Sequence, residues 1–119
     1  MTSPALQRAR LAILAVALSC LTACASVGLT PAQSFDARLA YAYGTHTAIL
    51  QAATAAVTAG TISRKDGETV LKLAQQSRVL LDSARAVENT DPATAAGRLT
   101  LAVNILNQLQ TYLQSRGVQ

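Results

Sequence analysis

The chain has 119 residues, half of them apolar, with ten basic and six acidic residues and a formal charge of +4. That length suits one small domain with little core to spare; tryptophan is absent and Phe35 is the one phenylalanine, so Ala, Leu, Val and Ile must fill the interior. The basic residues are scattered and aromatic surface for stacking bases is scarce, which argues against nucleic acid as a partner.

The first ten residues, MTSPALQRAR, are polar and carry Arg8 and Arg10. Leu11 to Ala23 follow without a charge, a run shorter than the ~20 residues of helix that cross a bilayer core. A basic start, a short apolar run and small residues make the layout of a secretory signal peptide. The run closes on Leu21-Thr22-Ala23-Cys24. This resembles the lipobox of bacterial lipoprotein precursors, in which an aliphatic residue and two small ones precede the cysteine that receives lipid.

By that resemblance, Cys24 takes a diacylglyceryl group on its sulfur, cleavage falls between Ala23 and Cys24, and the freed amine is acylated. Cys20 is the rival position, but Leu18 stands where the pattern has a small residue. Two cysteines and one distant histidine lack the four ligands of a structural zinc site, and a disulfide across four residues of an apolar helix is a poor alternative. An uncleaved N-terminal anchor is the remaining one. Two or more acyl chains hold a protein on its membrane stably, where one alone does so marginally. No aspartate follows Cys24, where Ala25 and Ser26 stand instead, so in a Gram-negative cell the resemblance implies the periplasmic face of the outer membrane. Without Arg8 and Arg10 the exported part carries eight basic and six acidic residues, close to neutrality. It also keeps no second cysteine for an internal disulfide.

Residues 24–34 read as a lipidated tether and 35–119 as a three-helix domain, with helices over about 34–59, 64–88 and 92–116. The tether carries a capping box, Thr30-Pro31-Ala32-Gln33, with proline at the first helical position, and the first helix starts somewhere in Pro31–Phe35; its stop is Gly60. Ser63 caps the second, with Asp66 and Glu68 in the first turn, where acids favour the helix dipole. Asp91 caps the third, Pro92 begins it and Gly117 ends it.

Each segment has a helical period. The first carries Phe35, Leu39, Tyr43, His46, Leu50, Ala53 and Val57 on one stripe. The second carries Val70, Ala74, Ser77, Leu81, Ala84 and Glu88, widened by Leu73, Leu80 and Val87. The third carries Leu99, Ala102, Leu106, Leu109 and Leu113, broadened by Leu101, Ile105 and Tyr112. Short connections between helices of similar length predict antiparallel neighbours, hence an all-α, up-down-up three-helix bundle. Glu68 and Lys72 are four apart with the acid first, and Arg85 falls one residue short of that slot after Asp82. Such pairs mark a solvated face.

No formal charge lies between Arg38 and Arg64. A helix polar on no side is usually buried on most sides, which predicts self-association through the first helix. A membrane role for this helix is disfavoured by His46, Gln51, its glycines and its threonines.

Polar aromatics gather in Tyr41 to His46. Tyr43 and His46 share a face and are the candidate ligand or partner contacts; the alternative places them at the core's edge with polar tips in water. Gly44 costs ~1 kcal/mol against alanine in a helix interior, and close approach of a neighbour would be its reason. For catalysis, His46 lacks a recognisable nucleophile and carboxylate around it, and neither a phosphate-binding glycine loop nor a calcium loop is present. No enzyme activity, cofactor or metal is expected.

The resulting expectation is a lipid-anchored helical module of the cell envelope that binds or scaffolds a protein partner. The mature part is faintly similar to small helical lipoproteins of bacterial and prophage genomes, a likeness that implies no activity. The second expectation is a phage-derived lysis accessory that disrupts membranes, although outer spanins, which it resembles in size and lipidation, are typically proline-rich and extended.

Overall fold

The computed structural model of the chain describes residues 34–118. The expected signal peptide, Cys20, Cys24 and the Thr30–Gln33 stretch lie outside the described residues. Three helices account for nearly all of the rest: α1 over Phe35–Thr58, α2 over Arg64–Val87 and α3 over Pro92–Ser115.

Local chemistry sets each boundary. Ser34 has extended backbone angles, and its Oγ accepts from the Ala37 N–H at 3.2 Å, so α1 is capped there and not by Thr30. The extended conformation at Ser34 ends the helix one residue before Phe35, whatever the capping potential of the Thr30-Pro31 pair. Ser63 Oγ accepts from the Asp66 N–H at 3.0 Å. Asp91 accepts twice from Thr94, from the N–H at 3.0 Å and from the hydroxyl at 2.6 Å, and these bonds hold its carboxyl below the usual carboxylate range.

At the other ends, Gly60 and Gly117 adopt positive φ angles of 75° and 76°. Thr61 N–H donates to the Ala56 carbonyl at 2.9 Å and Gly60 N–H to Val57 at 3.1 Å. Val118 N–H to Leu113 and Gly117 N–H to Gln114 repeat the arrangement at 3.0 and 2.9 Å. Both are Schellman closures, which satisfy carbonyls that the last helical turn leaves open. Ile62, buried in the α1–α2 turn, and Val118 follow the two glycines and pack onto the core. Ser63→Ala should lower stability by ~1 kcal/mol, read as a fall of roughly 4–8 °C in melting temperature for a domain of this size.

Pairwise contacts fix the topology. Tyr43 meets Asp82 at one end of the α1–α2 seam and Val57 faces Gly67 at the other, so these helices are antiparallel. Arg98 of α3 donates to the Ser83 carbonyl of α2 at 3.3 Å, while Thr69 and Tyr112 share a groove further along. Those two are antiparallel as well. The result is the expected up-down-up bundle, without a strand among the described residues.

The core stripes of α2 and α3 follow the expected registers, joined by Gly67 and Ala95. In α1 the buried line is Leu39, Ala42, His46, Ile49, Ala53 and Ala56. It is turned from the expected stripe, leaving Phe35, Tyr43, Leu50 and Val57 half-buried at its margin. The cause is that α1 packs against both neighbours, so the centre of its contact lies between the two seams, on small residues that allow close approach. Leu101, expected to broaden the α3 stripe, is 56 % exposed.

The outward face of α1 carries Tyr41, Gly44, Thr47, Ala48, Gln51 and Thr54. The hydroxyls of Thr47, Thr54 and Thr58 donate to the carbonyls of Tyr43, Leu50 and Thr54, at 3.1, 2.8 and 2.9 Å. No helix among the described residues is long and apolar enough to cross a membrane.

Candidate functional site

Tyr43 and His46 stand one turn apart on the side of α1 that meets α2. Tyr43 is half-buried, and its hydroxyl donates to Asp82 Oδ1 at 2.6 Å. Arg78 lies over the phenol ring, with its guanidinium carbon 4.6 Å from the ring centroid. Its Nε–H also donates to both oxygens of Asp82, at 3.1 and 3.3 Å. One tyrosine of α1 is thereby clasped by a cation and a carboxylate one helical turn apart on α2.

Among the described residues Arg78–Asp82 is the one ion pair. The expected Glu68–Lys72 contact is not formed, and Asp82 pairs with the arginine before it instead of leaning toward Arg85. The side chains of Arg78 and Asp82 are 44 % and 55 % exposed, so water screens the pair and its net contribution is small. The geometry aligns α1 on α2 more than it stabilises them.

Titration follows from these contacts. The Tyr43 hydroxyl, assisted by Arg78, holds the Asp82 carboxyl below its ordinary range. Its contribution is therefore present above about pH 3.9 and is lost as acid protonates the carboxylate. Burial first, and the bond to Asp82 second, raise the Tyr43 phenol above its ordinary value, so alkali beyond about pH 10 works against the same contact.

His46 lies deeper. It is 5 % exposed, and both ring nitrogens are buried without a hydrogen-bond partner. Its tip is thus not in water, as the edge-of-core alternative has it. Burial, with the Arg78 charge added to it, lowers the affinity of the imidazole for a proton. The Ala74 carbonyl opposes this weakly, but it falls short of hydrogen-bond geometry with either nitrogen and already accepts from the Ser77 hydroxyl at 2.7 Å.

Tyr41 points away, 70 % exposed. Gly44 has no neighbour within 4 Å of where a side chain would begin, so close approach does not account for it. Gly67, in contrast, sits where a Cβ would press into Val57, a role that spacing alone did not reveal. Nothing in the sequence pattern marks Arg78 or Asp82 as a companion of Tyr43. They are distant in sequence, and a pair at helical spacing reads as an ordinary solvated face.

Among the described residues no group of three or more His, Cys, Asp and Glu side chains could hold a metal ion. The grooves between helices are shallow, as at Val57, Arg64, Gly67 and Leu71 between α1 and α2. No family model, characterised protein or solved structure shows a significant match to this chain. The class of the described domain is therefore defined by its fold, an antiparallel three-helix bundle.

Proposed function

We propose that the chain is the precursor of a small lipoprotein of the cell envelope, whose helical domain binds or scaffolds a protein beside the membrane. The observation that carries this reading is Leu21-Thr22-Ala23-Cys24 at the end of an uncharged run behind two arginines. The fold is compatible with it: the bundle begins at Ser34, soon after the cysteine. The nine residues Ala25–Gln33 reach roughly 30 Å at full extension, so lipid on Cys24 keeps the bundle close to the bilayer surface. A binding role is supported by the exposed apolar side chains of Tyr41, Leu71, Val79 and Leu101 and by the uncharged stretch of α1 beyond Arg38. The Ala25-Ser26 pair favours the outer membrane in a Gram-negative host.

Mass spectrometry of the N-terminal peptide from the membrane fraction tests the proposal. The expected peptide begins at Cys24 and carries the mass of a diacylglyceryl group and a further acyl chain. Cys24→Ser should abolish the added mass and leave residues 1–23 attached, whereas Cys20→Ser should change neither property of the mature product. An intact leader with an unmodified thiol at Cys24 in the unaltered protein would overturn the reading.

A further inference from the structure

The one histidine of the chain is buried with both ring nitrogens unpartnered, a position that disfavours an imidazolium. His46 faces α2, where the nearest charged groups are Arg78 and Asp82. Asp82 is engaged by Tyr43 and Arg78, and Arg78 repels a second cation. From α1 itself the neighbouring titratable group is Tyr43, whose proton is given to Asp82. Among the described residues α3 supplies no charged group that acts on the ring. A proton on His46 would create a buried cation with only the Ala74 carbonyl, already bound by Ser77, close by, which is costly unless the ring reaches water.

The helix this ring would have to free is the least tightly held of the three. Three of the residues that α1 buries are alanines, Ala42, Ala53 and Ala56. Among the largest fully buried side chains are Leu81 of α2 with Leu99 and Leu106 of α3. Apolar burial scales with area, so less holds α1 in place than holds α2 to α3.

We propose that His46 makes the packing of α1 acid-labile: below the ordinary imidazole range, protonation favours a state in which α1 loosens from the α2–α3 pair. The sign follows from linkage. The open state takes up a proton near pH 6.5 and the closed state only at lower pH, so stability is intact above about pH 6.5 and falls as pH drops below it. One proton permits at most a tenfold rise in the opening equilibrium per pH unit. Asp82 and Asp91, both held low, lose their contributions only below about pH 4. Glu88, raised by desolvation and by Asp36, shifts stability in the opposite direction.

Hydrogen exchange by mass spectrometry on the full chain in non-ionic detergent, corrected for intrinsic rates, tests this between pH 7 and 5. The expected result is several-fold faster exchange in α1 peptides, a smaller change in α2 and α3, and no such response in His46→Leu. Equal acceleration of all three helices, or an unchanged response in the variant, would overturn it. Should the variant not fold, the imidazole Cε1–H resonance of the unaltered protein decides: a midpoint below pH 6.5 supports the switch, and one at or above it does not.

Discussion

Leu99→Ala should remove about 2–5 kcal/mol from the bundle, while Leu101→Ala, two residues along the same helix, should change stability by less than about 0.5 kcal/mol. Leu99 is fully buried and Leu101 is 56 % exposed. The buried leucine loses its transfer energy and leaves a cavity that neighbouring backbone can close only in part. A domain of roughly 85 residues has a total stability of about 4–13 kcal/mol, so the first substitution takes a large share. The effect is sharpened by the composition of the core. Phe35 is half-buried, and six of the fifteen residues of the buried cluster are alanine, so few large side chains can compensate for one that is missing. Thermal unfolding followed by circular dichroism should show a fall of at least ~10 °C for Leu99→Ala and almost none for Leu101→Ala. Equal small shifts would mean that α3 does not pack by the face assigned to it.

Gly67→Ala and Gly44→Ala should have opposite signs. Both glycines lie inside helices, where alanine is better by ~0.5–1 kcal/mol on backbone grounds alone. At Gly44 the space is open, and the substitution should stabilise by that amount. At Gly67 the new methyl would run into Val57, whose branched side chain has one strongly preferred rotamer in a helix. Separation of α1 from α2 or a strained valine follows, at a cost of about 1–3 kcal/mol that outweighs the backbone gain. Val57→Ala should relieve it: the double substitution is expected to be more stable than the sum of the two single effects by ~1 kcal/mol or more. Additive effects in urea titrations would show that the two helices do not meet at this point.

Much of the fold was legible in the sequence because its boundaries are local. Ser63, Asp91 and Pro92 start helices, and Gly60 and Gly117 stop them, through bonds that span only a few residues. The stripes of α2 and α3 could be read for a similar reason: large apolar residues recur on one face and polar ones elsewhere. In α1 the outward positions are mostly alanine, threonine and glycine, so its pattern has little contrast and does not locate the buried line to better than one flank. The start of α1 falls within the expected Pro31–Phe35 window, at Ser34, a few residues after the Thr30-Pro31 capping signature. Tyr43 and His46 were visible as unusual residues, but the clasp on Tyr43 depends on the pairing of two helices, which periodicity does not specify. The isolation of His46 is likewise a property of what surrounds it. Gly67 looked like part of an acidic first turn, and its closeness to Val57 is a fact about crossing helices that no local pattern contains.

The threonines of α1 carry a consequence for recognition. Thr47, Thr54 and Thr58 lie on the solvent side, yet each directs its one hydroxyl proton to a carbonyl of its own helix. What they leave to the outside is oxygen lone pairs and methyl groups. Donors on this flank reduce to few groups, among them the Gln51 amide and the Tyr41 phenol. A surface that seems rich in hydroxyls by composition therefore behaves as an acceptor-bearing, methyl-covered one, and it would discriminate against any molecule that offers only acceptors of its own.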